Sequence, residues 1–134
     1  MRVFLDTNVL ASGFATRGLS ADVVRVVMVE HELLAGEIVI VEILRVLSKK
    51  FGVPARDVRD IERLLRRFPV QPIPEQAPPI EVRDPDDALV LTSALAAAAD
   101  VLVTGDKGLL DIRDKVIELT ITDPRGFWAM IRRC

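Results

Sequence analysis

Apolar residues in this chain follow two rhythms. Val3-Phe4-Leu5 and Val101-Leu102-Val103 are short unbroken runs ending in polar or turn residues, the pattern of strands buried on both faces. Elsewhere apolar positions recur at three- and four-residue steps. Ser20 reads as the N-cap of a helix running to about Glu30, with Val23, Val24, Val27 and Met28 facing inward. His31 to Ala35 fits a second short strand, in which His31 is simply a polar residue. Gly36 opens a helix from Glu37 to about Lys50, which Gly52 and Pro54 end. Val58, Ile61, Leu65 and Phe68 give the apolar face of a helix from Pro54 to Phe68, and Arg59, Arg63, Arg66 and Arg67 lie mostly elsewhere on it. Pro69 to Pro72 is at most an edge strand, because its prolines cannot donate to a ladder. Pro72 to Pro79 is a polar surface connection. Asp84 caps the next helix, with Pro85 in its first turn, and the helix continues through Leu89, Leu91, Leu95 and Ala98. Gly105 to Gly108 forms a turn, Lys115 to Leu119 the last strand, and Asp123-Pro124 the start of a final helix with Phe127, Met130 and Ile131 inward.

Strands alternating with helices imply a parallel sheet covered on both faces. The expected fold is therefore α/β, a three-layer α/β/α arrangement with one domain spanning residues 1–134. Half the residues are hydrophobic and 28% are charged, which suits a packed globular chain. Tyr is absent and Trp occurs once, so the core is aliphatic. A net charge of −2 argues against a histone-like coat for nucleic acid but not against a nuclease whose acidic centre is masked by metal. The lone cysteine, Cys134, gives no disulfide framework and fits a reducing cytoplasm. The first apolar run is too short for a signal peptide, and no stretch reaches membrane-spanning length.

The chemistry lies in the acids. Asp6 stands at the carboxyl end of the first strand, where open α/β sheets place their sites. Asp84-Pro85-Asp86-Asp87 and Thr104-Gly105-Asp106 occupy similar junctions. Taken singly, each acid is accounted for by helix capping or by the dipole of a first helical turn. Gathered at one rim, they would need a cation to hold them together. Glu42 shares the one polar stripe of its helix with Arg45 and Lys49. Periodicity reads that stripe either as a solvated surface with a Glu–Arg pair or as one wall of a cleft. His31 has no partner pattern for zinc or nucleophilic chemistry, and no phosphate-cradling glycine motif occurs, which excludes a nucleotide cofactor. Hard oxygen donors suit Mg²⁺ or Mn²⁺.

Leu5-Asp6-Thr7-Asn8-Val9-Leu10, Glu42-Ile43-Leu44-Arg45-Val46-Leu47, Asp87-Ala88-Leu89-Val90 and Val103-Thr104-Gly105-Asp106-Lys107, in this order, resemble a PIN domain. The nearest resemblance is to VapC-type ribonucleases, the toxins of toxin–antitoxin pairs. It implies a parallel five-stranded sheet in which the first and fourth strands are neighbours. It places the four site acids on Asp6, Glu42, Asp87 and Asp106, with Asp86 able to share or replace Asp87. Asn8 and Thr104 match the polar residues that orient the carboxylates. Gly36 stands where members often carry Ser. The implied activity is endoribonucleolytic hydrolysis through one or two Mg²⁺ or Mn²⁺ ions, with Arg45, Lys49 and Lys107 near substrate phosphates. The implied partners are an RNA substrate, a small cognate antitoxin and a second copy of the chain in a homodimer.

Three other readings compete. A PIN-like scaffold could bind RNA or protein without cutting, and a nuclease with the same acids could act on DNA. A phosphoacceptor receiver domain has a similar size, but here the first strand carries one Asp and residues 69–74 contain none.

Overall fold

The computed structural model describes residues 1–76 and 80–132. Five parallel strands, β1 (Arg2–Leu5), β2 (Glu32–Gly36), β3 (Val70–Gln71), β4 (Val101–Val103) and β5 (Thr120–Thr122), lie in the order β3-β2-β1-β4-β5. The helices are α1 (Thr7–Ala15), α2 (Leu19–Glu30), α3 (Glu37–Lys49), α4 (Ala55–Leu65), α5 (Pro85–Ala96), α6 (Lys107–Asp111) and α7 (Pro124–Arg132). From β1 the chain steps outward to β2 and β3, then returns past β1 to β4 and β5. With right-handed crossovers, the two directions put their helices on opposite faces, giving the expected three layers. The order also differs from the 2-1-3-4-5 of receiver domains, which removes that alternative.

The core is aliphatic around two buried phenylalanines. Val3, Phe4 and Leu5 of β1 and Val101, Leu102 and Val103 of β4 are at most 1% exposed, as befits central parallel strands covered on both sides. Val39, Ile40, Ile43 and Leu47 are the buried stripe of α3, and Val58 and Leu65 that of α4. Gly36 leads into α3 because a side chain there would meet Phe4: a Cβ would lie 2.9 Å from Phe4 Cζ. Arg2 ties β1 to the end of α5, donating to the carbonyls of Ala97 (2.6 Å) and Ala98 (3.1 Å).

Several boundaries differ from the sequence-based expectation. The segment after Asp6 is a full helix, α1. Ser20 is not an N-cap: α2 begins at Leu19, and Gly18, at φ 132°, precedes it without a side-chain cap. His31 is the C-cap of α2 and not a strand residue; its ring meets Phe127 edge-on at 6.0 Å. Helix α4 stops at Leu65, before Phe68, and α5 stops at Ala96, before Ala98, which turns at φ 56°. The last strand is Thr120–Thr122, not Lys115–Leu119. Lys115 closes a 3-10 turn, and only the later residues reach the ladder beside β4. The fourth parallel pairing partner is thus supplied by a Thr-Ile-Thr segment with little apolar signal of its own. Residues 77–79, part of the Pro72–Pro79 connection, and Cys134 lie outside the described residues.

Candidate metal centre

The strand order reverses between β1 and β4, and both strands end at the same rim. Leu5 pairs with Val103, and the next N–H, that of Asp6, donates to the Val103 carbonyl at 3.0 Å. Asp6 is therefore the first residue past the sheet on one side of the switch point, and Thr104 the first on the other. Their side chains meet. Thr104 Oγ1 donates to Asp6 Oδ2 at 2.6 Å and accepts the Asp106 N–H at 3.0 Å. The other Asp6 oxygen accepts the Thr7 N–H at 2.7 Å, capping α1. Thr104, fully buried, thus links the two strand-end acids.

Asp106 Oδ1 accepts from Gly108 N at 2.7 Å and caps α6. Asp84 Oδ1 accepts from Asp86 N at 2.8 Å and, with Pro85 behind it, caps α5. That turn aims Asp87 at Asp106. A Cβ built on Gly108 would lie 3.0 Å from Asp106 Oδ1 and 3.2 Å from Asp87 Oδ2, so the glycine leaves room where the two carboxyls approach. Capping and clustering, competing readings of the sequence, coexist here, because each cap spends only part of a carboxylate's bonding capacity.

Glu42 comes from the second turn of α3 and is half-buried. The charges of Asp6 and Asp86 act on it, whereas Asp87 approaches Asp106. Arg45 attracts Glu42 without forming an ion pair with it. Lys49 and Lys107 are exposed, with no hydrogen bond or ion pair among the described residues, and so is Asn8. Thr7, next to Asp6, is a residue that sequence reasoning passed over. Its hydroxyl is buried, lacks a hydrogen bond of normal geometry, and faces Glu42. Its place inside Asp6-Thr7-Asn8 was the available signal.

Electrostatics show a site under tension. Burial raises the Asp6 pKa above its ordinary value of 3.8. The Thr104 and Thr7 hydrogen bonds pull the other way, and nearby Asp106 raises it further. Burial, then the charges of Asp6 and Asp86, raise Glu42. Asp87 is pushed up to about 7 by burial and by Asp106, with which it can share a proton, and less by Asp84 and Asp6. Beside Asp87 and Asp106 opens a cleft of about 1010 Å³, walled also by Glu81, Arg83, Asp84 and Asp111; Asp6 and Glu42 do not line it.

Uncompensated carboxylates of this kind are the donor set of a hard divalent cation, and by that chemistry Asp6, Glu42, Asp87 and Asp106 fit one. Among the described residues no three acidic, histidine or cysteine side chains are already gathered around one point as ligands would be.

Comparison with known proteins places this architecture. A family model described as PIN domain matches residues 2–108. A chain in the crystal structure of VapBC2 from Rickettsia felis bound to a DNA fragment from their promoter superposes with a TM-score of 0.64, at 16% identity, covering 92% of this chain and 98% of that one. That likeness establishes a common fold. No protein of curated function matches.

Proposed function

This chain belongs to the PIN-domain family, and we propose that it is a divalent-metal-dependent endoribonuclease, one domain over residues 1–134, acting as the toxin of a toxin–antitoxin pair. The observation that carries the reading is the meeting of Asp6 and Asp106 at the switch point through Thr104, with Asp87 closing on Asp106 and Glu42 near enough to feel the charge of Asp6. One or two Mg²⁺ or Mn²⁺ ions held by these acids would supply Lewis acidity and a water of lowered pKa for hydrolysis of a phosphodiester. The protein's part is to hold the carboxylates at one rim, to orient Asp6 through Thr104 and Thr7, and to keep the neighbouring cleft open for the strand being cut. No histidine or lysine base takes part, which agrees with the absence of either among the clustered side chains. The likeness to a chain of a VapBC2 complex supports a small antitoxin as partner; a homodimer is proposed as the working form.

The test is cleavage of RNA by purified protein with Mg²⁺ or Mn²⁺, set beside the Asp6→Asn variant and a chelator. Cutting that needs both Asp6 and metal supports the proposal; equal cutting in all three arms overturns it. The competing reading is a non-catalytic RNA- or protein-binding scaffold whose acids hold no ion. Calorimetric titration with Mn²⁺ that releases no heat favours the scaffold.

A further inference from the structure

The charge of this chain is divided. Residues 45–67 hold eight basic and three acidic side chains, whereas the remainder holds ten and seventeen. Within that stretch the basic residues are ordered. Arg56, Arg59 and Arg63 fall within about 60° of the circumference of α4, and Arg67 follows one turn further on. All four are exposed. The only ion pair any of them makes among the described residues is Arg63 to Asp60, at 3.6 Å with both side chains largely in water.

Folding does not require this arrangement. Like charges at (i, i+3) and (i, i+4) repel, and Arg56 sits in the first turn, where the helix dipole disfavours a cation. Arg66, by contrast, has a structural partner: it makes a bidentate bridge to Glu37 at 2.8 and 3.0 Å and bonds Glu62 at 3.0 Å. That bridge fixes the C-terminal end of α4 beside the first turn of α3, the helix that carries Glu42. The Arg67 end of the row therefore lies beside the start of the helix that carries Glu42, and the row runs back along α4 toward Arg56.

We infer that the exposed row Arg56, Arg59, Arg63 and Arg67 is a docking surface for the phosphate backbone of a folded RNA, outside the acidic centre. Steps of about 4.5 and 6 Å between the arginines give a regular ladder of cations, which suits evenly spaced phosphates better than scattered protein carboxylates. No exposed aromatic or aliphatic anchor accompanies the row on α4, as a protein partner or base stacking would want. The surface reads charge and shape, not sequence. It would also solve a problem the acidic centre creates, since carboxylates alone repel the polymer they are proposed to cut. The inference rests on the ribonuclease reading for its biological sense, but it can be tested without cleavage.

The test compares the intact protein with its Arg56→Gln/Arg59→Gln/Arg63→Gln/Arg67→Gln variant, both in chelator so that nothing is cut. Binding to a long folded RNA is measured between 50 and 200 mM salt. A thermal melt checks that the variant folds; glutamine keeps helix propensity. Losing four phosphate contacts should flatten the salt slope by about 3, so the wild type should lose about 50-fold more affinity across that range than the variant. An Arg113→Gln/Arg125→Gln control, on other elements, should leave the slope in place. Unchanged RNA affinity and slope in the quadruple variant overturn the inference, as does loss of binding to poly-glutamate with RNA binding intact. Cleavage of a short oligonucleotide in Mg²⁺ reports separately on the nuclease reading. If wild type cuts nothing yet binds RNA through the row, only that reading fails; if it cuts but the row is dispensable, only this inference fails.

Discussion

The metal-free protein should become more stable as pH falls from 8 to about 5, against the usual trend for a protein with paired carboxylates. The reason is the sign of the site's pKa shifts. Asp87 sits at about 7 in the folded chain, against an ordinary 3.8, and Asp6 and Glu42 are also raised. A carboxyl with a raised folded pKa binds its proton more tightly when folded. Its ionisation therefore costs the native state free energy, fully above the folded pKa and not at all below the unfolded one. For Asp87 the span from 3.8 to about 7 would amount to about 4 kcal/mol in a sealed interior. Asp87 is only part-buried, and water screening reduces this to about 1–2 kcal/mol. The window is bounded below by Glu37, whose pKa the Arg66 bridge lowers from 4.5: that pair's contribution is lost as pH falls further. Urea unfolding in chelator at pH 5, 6, 7 and 8 measures the effect. The Asp87→Asn variant should flatten the profile, and Mg²⁺ should reverse it by compensating the ionised acids. Stability that rises steadily from pH 5 to 8 in chelator would refute the electrostatic account of the site.

Three further outcomes follow from the same geometry. Thr104→Val removes a buried charge-assisted hydrogen bond to Asp6 with almost no change in volume, so metal-free stability should fall by about 1.5–3 kcal/mol at pH 8. The loss should be smaller at pH 5, because that bond favours the ionised form; a pH-independent loss on denaturation would count against it. Gly108→Ala places a methyl 3.0 and 3.2 Å from the Asp106 and Asp87 oxygens, and should weaken Mn²⁺ binding in calorimetry by about tenfold, or about 1.4 kcal/mol. The thermal midpoint of the same variant should hold, since alanine improves helix propensity. Gly36→Ala brings a Cβ to 2.9 Å from Phe4 Cζ in a sealed part of the core and should cost about 1–3 kcal/mol. Adding Phe4→Leu should return part of that stability, which a double-mutant cycle would detect.

How much of this could be read in the sequence depended on whether a feature is local. Asp6, Asp84 and Asp106 announce themselves because each ends a strand or opens a helix, and the structure uses all three as caps. The apolar runs of β1 and β4 and the stripe of α3 were equally plain. Features that depend on what another element supplies were not. Thr120-Ile121-Thr122 becomes a strand because β4 offers it a ladder, while the more apolar Val116 to Leu119 forms none and leaves Ile117 90% exposed. Helix α1 contains Thr, Asn, Ser and Gly, and is held by its cap and by packing on α2 and α3 more than by propensity. The unpartnered Thr7 hydroxyl and the vacancy at Gly108 exist only once α3 and α5 have closed over the rim.

The acids themselves do not decide that they meet. Asp6 and Asp106 are far apart in the chain, and what brings them together is the pairing of Val3, Phe4 and Leu5 with Val101, Leu102 and Val103. A slip of two residues along that ladder preserves which side chains face each layer but moves Thr104 by about 6.6 Å, more than twice its 2.6 Å hydrogen bond to Asp6. A slip of one exchanges the side chains between the two covered faces, so each would have to pack against the wrong layer of helices. The two-residue slip must be opposed by something else, and the end of the ladder supplies it. The Asp6 N–H closes on Val103 O, and the Thr104 N–H on Thr122 O at 2.9 Å, so both neighbours of β4 fix its position along the strand axis. The chemistry of this rim is thus written in its carboxylates, but its geometry is written in six aliphatic and aromatic residues that never touch a ligand.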